Sequence, residues 1–87
     1  MAATKKYADV EYYEKKLKNV MDRVEATEYD YDWNRTGCWV EFTYHGQRYR
    51  FEHSVASARE HGVDIHYGSD AFAQVVLALE DLARIVS

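Results

Sequence analysis

The sequence predicts an α+β domain. Its core is a three-stranded antiparallel meander, with an N-terminal helix, a short helix and a C-terminal helix packed on one face, in the order α-β-β-β-α-α. Two stretches of apolar residues at three- and four-residue spacing, one near each end of the chain, predict the long helices. Between them, strict alternation from Thr27 to Trp33 and a His45-Gly46 loop joining two further alternating stretches predict the strands.

The first helix is expected over Lys5 to Val24. Val10, Tyr13, Leu17, Val20, Met21 and Val24 make one apolar stripe, and Thr4 offers a cap. Lys15, Lys16, Lys18 and Arg23 fall late, where the helix dipole favours cations. The tyrosines divide: Tyr13 and Tyr7 are expected in the core and Tyr12 at its rim.

From Thr27 to Trp33, Glu28, Asp30 and Asp32 alternate with Tyr29, Tyr31 and Trp33, giving a strand with an acidic face and an aromatic face. Asn34-Arg35-Thr36-Gly37 supplies a turn, with Gly37 free to take a positive φ. Cys38 to Tyr44 and Gln47 to His53 then form a hairpin. With Tyr44 opposite Gln47, Phe42 faces Tyr49, Val40 faces Phe51 and Cys38 faces His53 on one side, while Glu41 faces Arg50 on the other. A slip of one residue destroys this match, which fixes the register. The turn pairs the acidic strand with the hairpin so that Tyr29 meets Phe42 and Tyr31 meets Val40.

Ser54 caps a short helix from Val55 to His61, closed by Gly62 in the left-handed conformation. Val63 to Tyr67 reads as extended, either a short strand or an ordered loop. Gly68 and Ser69 open the last helix, with Asp70 in its first turn. Phe72, Val75, Val76, Leu79, Leu82, Ala83 and Val86 form its apolar face, all expected in the core.

Eighty-seven residues without proline, linker or repeat make a single domain over 1–87. One cysteine excludes a disulfide framework and suits a reducing compartment. No apolar run reaches membrane-spanning length and the N-terminus lacks a signal-peptide stretch. These features lead us to expect a cytoplasmic protein, in a host cell cytosol, with no membrane partner.

Charge is uneven along the chain. Residues 25–41 carry −4 and residues 64–87 carry −3, while residues 1–24 carry +2 and residues 42–63 carry +1. An acidic balance opposes direct nucleic-acid binding, which needs a basic footprint, and leaves room for a basic protein partner. Solubility alone also accounts for such a charge.

The residues that carry chemistry are sparse. His45, His53, His61 and His66 lack the helical i, i+4 spacing of a metal pair, and no phosphate-cradling glycine loop occurs, so neither a metal nor a cofactor is expected. Cys38 opposite His53 has the residue types of a nucleophile and its base, but the small sheet offers no cleft, and a buried structural cysteine is expected instead. Asp30 beside Glu41 lacks the shielding that acid–base catalysis needs. No enzymatic role is expected.

The acidic strand is the sharpest feature. Carboxylates two residues apart on a strand repeat about every 6.7 Å, a scale comparable with strand phosphates. Glu28, Asp30, Asp32 and Glu41, with Trp39 as an aromatic anchor, are therefore the candidate partner-binding residues. The same acids also serve to keep an edge strand from pairing with another chain.

The stretch Gly37-Cys38-Trp39-Val40-Glu41-Phe42 through Tyr49-Arg50-Phe51-Glu52-His53-Ser54, followed by Tyr67-Gly68-Ser69-Asp70-Ala71-Phe72-Ala73-Gln74, resembles small uncharacterised proteins of phages and mobile elements in Gram-positive bacteria. It covers about the last fifty residues. Such elements carry short acidic inhibitors of host defence, anti-CRISPR proteins among them. The resemblance implies an inhibitor that acts by binding and assigns no residue. The expected function is a non-catalytic binding module that blocks a basic, nucleic-acid-handling protein. Two alternatives stay open: a nucleic-acid-binding accessory protein using Arg48, Arg50 and aromatics, and a structural domain that self-associates.

Overall fold

A computed structural model describes residues 9–86. The chain runs α1 (Val10–Arg23), β1 (Thr27–Trp33), β2 (Gly37–Tyr44), β3 (Gln47–Ser54), α2 (Val55–Glu60) and α3 (Gly68–Val86), which is the expected order. The strands form one antiparallel sheet ordered β1-β2-β3. Val63 to Tyr67 is a loop rather than a strand, with Ile65 buried as its anchor.

Helix α1 begins at Val10. Asp9 is its cap, its carboxylate accepting from the Tyr12 amide at 3.1 Å. The earlier part of the expected helix, with Thr4 as cap and Tyr7 as a core residue, lies outside the described residues. Leu17, Val20 and Met21 are buried, Tyr13 packs against the core and Tyr12 is exposed. The helix ends in paired reverse bonds: the Ala26 amide donates to the Met21 carbonyl at 2.9 Å and the Glu25 amide to that of Asp22 at 3.2 Å. This ending needs a left-handed residue, and Glu25 supplies it at φ 60°.

The β2–β3 register is the expected one throughout, from Gly37 opposite Ser54 to Tyr44 opposite Gln47. His45 and Gly46 have φ values of 51° and 79°, the positive pair that a tight two-residue hairpin requires. The β1–β2 pairing departs from expectation at one place. Tyr31 meets Val40 and Asp30 meets Glu41, but Thr27 meets Thr43, so Glu28 and Tyr29 together oppose Phe42. Glu28 takes φ 52°, and this bulge absorbs the extra residue. The expected simple Tyr29–Phe42 pair is replaced by it, because uniform alternation in a sequence cannot show where a strand takes in one residue too many.

Cys38, Val40 and Phe42 are buried on the face that meets the helices, and Trp39, Glu41 and Thr43 alternate with them on the other. α3 lies across this sheet, and its Phe72, Val75, Val76, Leu79 and Ala83 complete the core with Leu17 and Met21. Lys16 of α1 and Glu80 of α3 join the two helices at 2.9 Å. Leu82 and Val86, expected in the core, are about half exposed because the last turns of α3 overhang the sheet. Trp33, on the aromatic side of β1, is 37% exposed at the end of the strand.

Gly37 and Gly68 are needed for space. Gly37 has no positive φ; a Cβ there would stand 2.6 Å from the His53 carbonyl oxygen. A Cβ at Gly68 would overlap the Asn34 carbonyl. The Gly68 amide donates to the Arg35 carbonyl at 3.2 Å, so α3 starts directly on the β1–β2 turn. The conformational role expected for Gly37 is thus replaced by a packing role.

Candidate partner-binding face

The outer sheet face carries the candidate residues, and the described elements leave it uncovered. Asp30 and Asp32 are exposed on β1. Each carboxylate accepts from the next backbone amide, Asp30 from Tyr31 and Asp32 from Trp33, both at 2.8 Å. Among the described residues neither carboxylate has a cationic partner.

Glu28 keeps the same side of the sheet but leaves the regular ladder, because the bulge passes through it. Its carboxylate accepts from the Thr43 hydroxyl at 3.3 Å. Its carbonyl accepts from Arg48 Nη1 at 2.6 Å, and the same Nη1 reaches the Thr43 hydroxyl at 3.1 Å.

Glu41 behaves differently from the β1 acids. Its two carboxylate oxygens receive Arg48 Nη2 at 2.9 Å and Arg50 Nη1 at 2.7 Å. Hydrogen bonds from Arg48 first, then Arg50, hold its carboxyl below the usual range. Arg50 also gives Nε to Glu52 at 2.6 Å. Glu41 is therefore the centre of an ion-pair network and contributes little free charge. Arg50, which the register places opposite Glu41, and Arg48, which reaches it diagonally, therefore both pair with this member of the expected anionic row.

Trp39 is half-buried, and the Arg50 guanidinium carbon lies 4.5 Å from its ring centroid. One face of the indole is thus occupied by a cation of the same sheet. Arg48 and Arg50, the candidates for contact with nucleic acid, are both engaged with Glu41.

The Cys38–His53 pair exists as a register pair without activation. Burial pushes the Cys38 thiol up to about 11, against a smaller lowering by the His53 backbone. The His53 ring is bonded through Nε2 to Gln74 Oε1 at 2.9 Å. A thiol held so high is protonated at neutral pH and is a poor nucleophile. Among the described residues no group of three His, Cys, Asp or Glu side chains is arranged to hold a metal ion, and no helix is long and apolar enough to cross a membrane.

Sequence reasoning missed the bulge at Glu28 and the apolar flank beside β3. There Tyr49 and Phe51 of β3, Leu82 and Val86 of α3 and Val20 and Val24 of α1 line a groove of about 210 Å³ between the two long helices and the sheet. Its signal was already in the sequence: Leu79, Leu82 and Val86 stand in the apolar stripe of the last helix, and a stripe does not show whether anything covers it.

Comparison of the chain with protein-family models, curated proteins and solved structures gives no match. The similarity to phage and mobile-element proteins gains no support from these comparisons.

Proposed function

We propose that this domain is a non-catalytic binding module that grips a basic protein through strand β1. One observation carries the reading. Asp30 and Asp32 stand exposed, side by side on one strand face, without a cation among the described residues, while the neighbouring acids Glu41 and Glu52 are paired. Unpaired carboxylates held on a sheet give a partner a fixed anionic target, and such complementarity governs association rate and specificity. The binding set is Asp30 and Asp32 at the centre, Glu28 at the bulge and the free edge of Trp39 beside them. Glu41 acts by engaging Arg48 and Arg50, which leaves the Asp30 and Asp32 carboxylates without a cation among the described residues.

A basic protein that handles nucleic acid fits this surface, because its phosphate-binding cations would meet carboxylates at strand spacing. Blocking such a protein by occupancy is the anti-CRISPR-like form of the proposal.

The test is a pull-down from bacterial lysate with the wild-type chain and with an Asp30→Lys/Asp32→Lys variant of unchanged circular dichroism. Basic proteins retained by the wild type, released by added salt and lost with the variant are the expected result. Equal retention by both chains overturns the proposal.

A further inference from the structure

The two edges of the sheet differ. β1 carries a bulge and three outward acids, both of which discourage a strand from adding to it. β3 has no bulge, and its outward charges, Arg48, Arg50 and Glu52, are of both signs, so a second copy can pair with them. Its register against β2 is unbroken over eight residue pairs, it contains no proline or lysine, and among the described residues nothing pairs with its outer edge.

The hairpin determines which backbone groups that edge offers. Tyr44 and Gln47 close a two-residue loop, so they form a hydrogen-bonded pair, and such pairs recur at every second position. Gln47, Tyr49, Phe51 and His53 therefore turn their N–H and C=O groups toward β2. Arg48, Arg50 and Glu52 turn theirs to the open edge.

The side chains along β3 are self-complementary. In an antiparallel pairing of two β3 strands centred on Phe51, Arg50 of each chain stands opposite Glu52 of the other. Phe51 faces its own copy and Tyr49 faces His53. A register centred on Arg50 would set two arginines directly opposite each other, which like-charge repulsion disfavours. Arg50 and Glu52 already touch within one chain at 2.6 Å, so pairing would merge two ion pairs into a network of four.

The inner side of this edge is apolar. Ala78, Leu82 and Ile85 share one stripe of α3 with Gln74, and Gln74 is bonded to His53 of β3. That stripe therefore faces the β3 flank. It is left open there: Tyr49 is 39%, Leu82 48% and Ile85 78% exposed. A second copy across a two-fold axis would bring the same stripe against it.

We infer that two copies of this chain associate through their β3 edges, forming a continuous six-stranded antiparallel sheet with the α3 flanks packed beneath it. The contact is isologous and closes on itself, so it stops at two chains. The bulged acidic β1 strands would lie at the two far ends, leaving both partner-binding faces accessible. The inference stands independently of what those faces bind.

Sedimentation of the purified chain over a dilution series tests it. The expected result is twice the 10.2 kDa single-chain mass at high concentration, falling to the single-chain mass on dilution. Glu52→Pro removes an amide that points only to the open edge, so it should give the single-chain mass with wild-type circular dichroism. Should the proline variant fail to fold, Glu52→Arg decides, because it sets like charges opposite Arg50 of the second copy and should also give single chains. In the dimer, the amides of Arg50 and Glu52 should exchange with solvent more slowly as concentration rises. A wild-type chain that is single at every concentration overturns the inference, as would occur if this edge serves a strand of a different protein. So does a dimer that survives folded Glu52→Pro or Glu52→Arg, or one that Asp30→Lys/Asp32→Lys dissolves.

Discussion

Gly68 and Asn34 meet backbone to backbone: a single added carbon at Gly68 would overlap the Asn34 carbonyl. The contact seats the first turn of α3 on the β1–β2 turn, which the Asn34 side chain itself braces by accepting from the amides of Thr36 and Gly37 at 2.9 and 3.1 Å. Gly68→Ala must therefore push the helix off the sheet. We expect a loss of about 3 kcal/mol or more, at the upper end of core overpacking and enough to unfold a marginal domain. Denaturant titration followed by circular dichroism measures it. Gly68→Ala with wild-type stability would show that the two backbones are not in contact.

Glu25 occupies the left-handed position at the end of α1, where a residue with a Cβ is disfavoured. Glu25→Gly should stabilise the protein by about 0.5–1 kcal/mol, the relief of that conformation less the extra freedom of the unfolded glycine. Gly62→Ala, at φ 84° with open space around it, should do the reverse by a similar amount. Thermal melts of the two variants should move in opposite directions; movement in the same direction would contradict the assignment.

Phe72 is fully buried and stacks on Tyr31, with ring centroids 5.2 Å apart. Phe72→Ala should cost about 3–5 kcal/mol. Leu82→Ala, on the overhang of the same helix, should cost about 1 kcal/mol or less when measured on the single chain at high dilution. Similar losses for the two would mean that Leu82 is core after all.

The pH dependence follows from groups shifted in both directions; Lys16 and Lys18, raised by hydrogen bonds to Glu80 and Asp22, add to its alkaline side. Cys38 is raised from 9.0 to about 11 by burial, and Tyr31 from 10.0 to about 12 by desolvation and then by its hydrogen bond to Glu14. Both hold their protons longer in the folded chain than in the unfolded one. The stability they provide is full below pH 9 and falls as pH rises between 9 and 12. Glu41 and Glu80 are lowered, by hydrogen bonds from Arg48 and from Lys16 respectively, so their contribution is present above the ordinary carboxylate range and is lost as pH falls through it. A melting temperature that is flat near neutrality and drops on both sides is expected, with Tyr31→Phe and Cys38→Ala each softening the alkaline drop. An alkaline limb identical in all three proteins would refute the assignment.

The sheet was legible because its signals are periodic and reinforce each other. Val40 with Phe51, and Glu41 with Arg50, agree on one register only, and the structure has it. The helices were legible from their stripes, though Leu82 and Val86 show that a stripe tells which way a side chain points and not whether anything lies there to cover it. The acids of β1 were legible as an exposed group. The bulge that displaces Glu28 was not, since it depends on how Thr27 pairs across the sheet. The neutralisation of Glu41 was half visible: the sequence placed Arg50 opposite it, but the diagonal reach of Arg48 is a property of folded geometry.

Among the described residues each strand is bonded only to its neighbours along the chain, and the tight reversal at His45-Gly46 joins β2 and β3 with unbroken register. Ordering the meander therefore closes only short loops. Among the described residues the hydrogen bond that spans the most sequence joins α1 to α3, where Lys16 reaches Glu80. Chain-closure entropy makes such a distant contact the slow one to reward. The hairpin is expected to nucleate folding and α1 to dock last. Destabilising substitutions in α1 would then speed unfolding while leaving the refolding rate nearly unchanged.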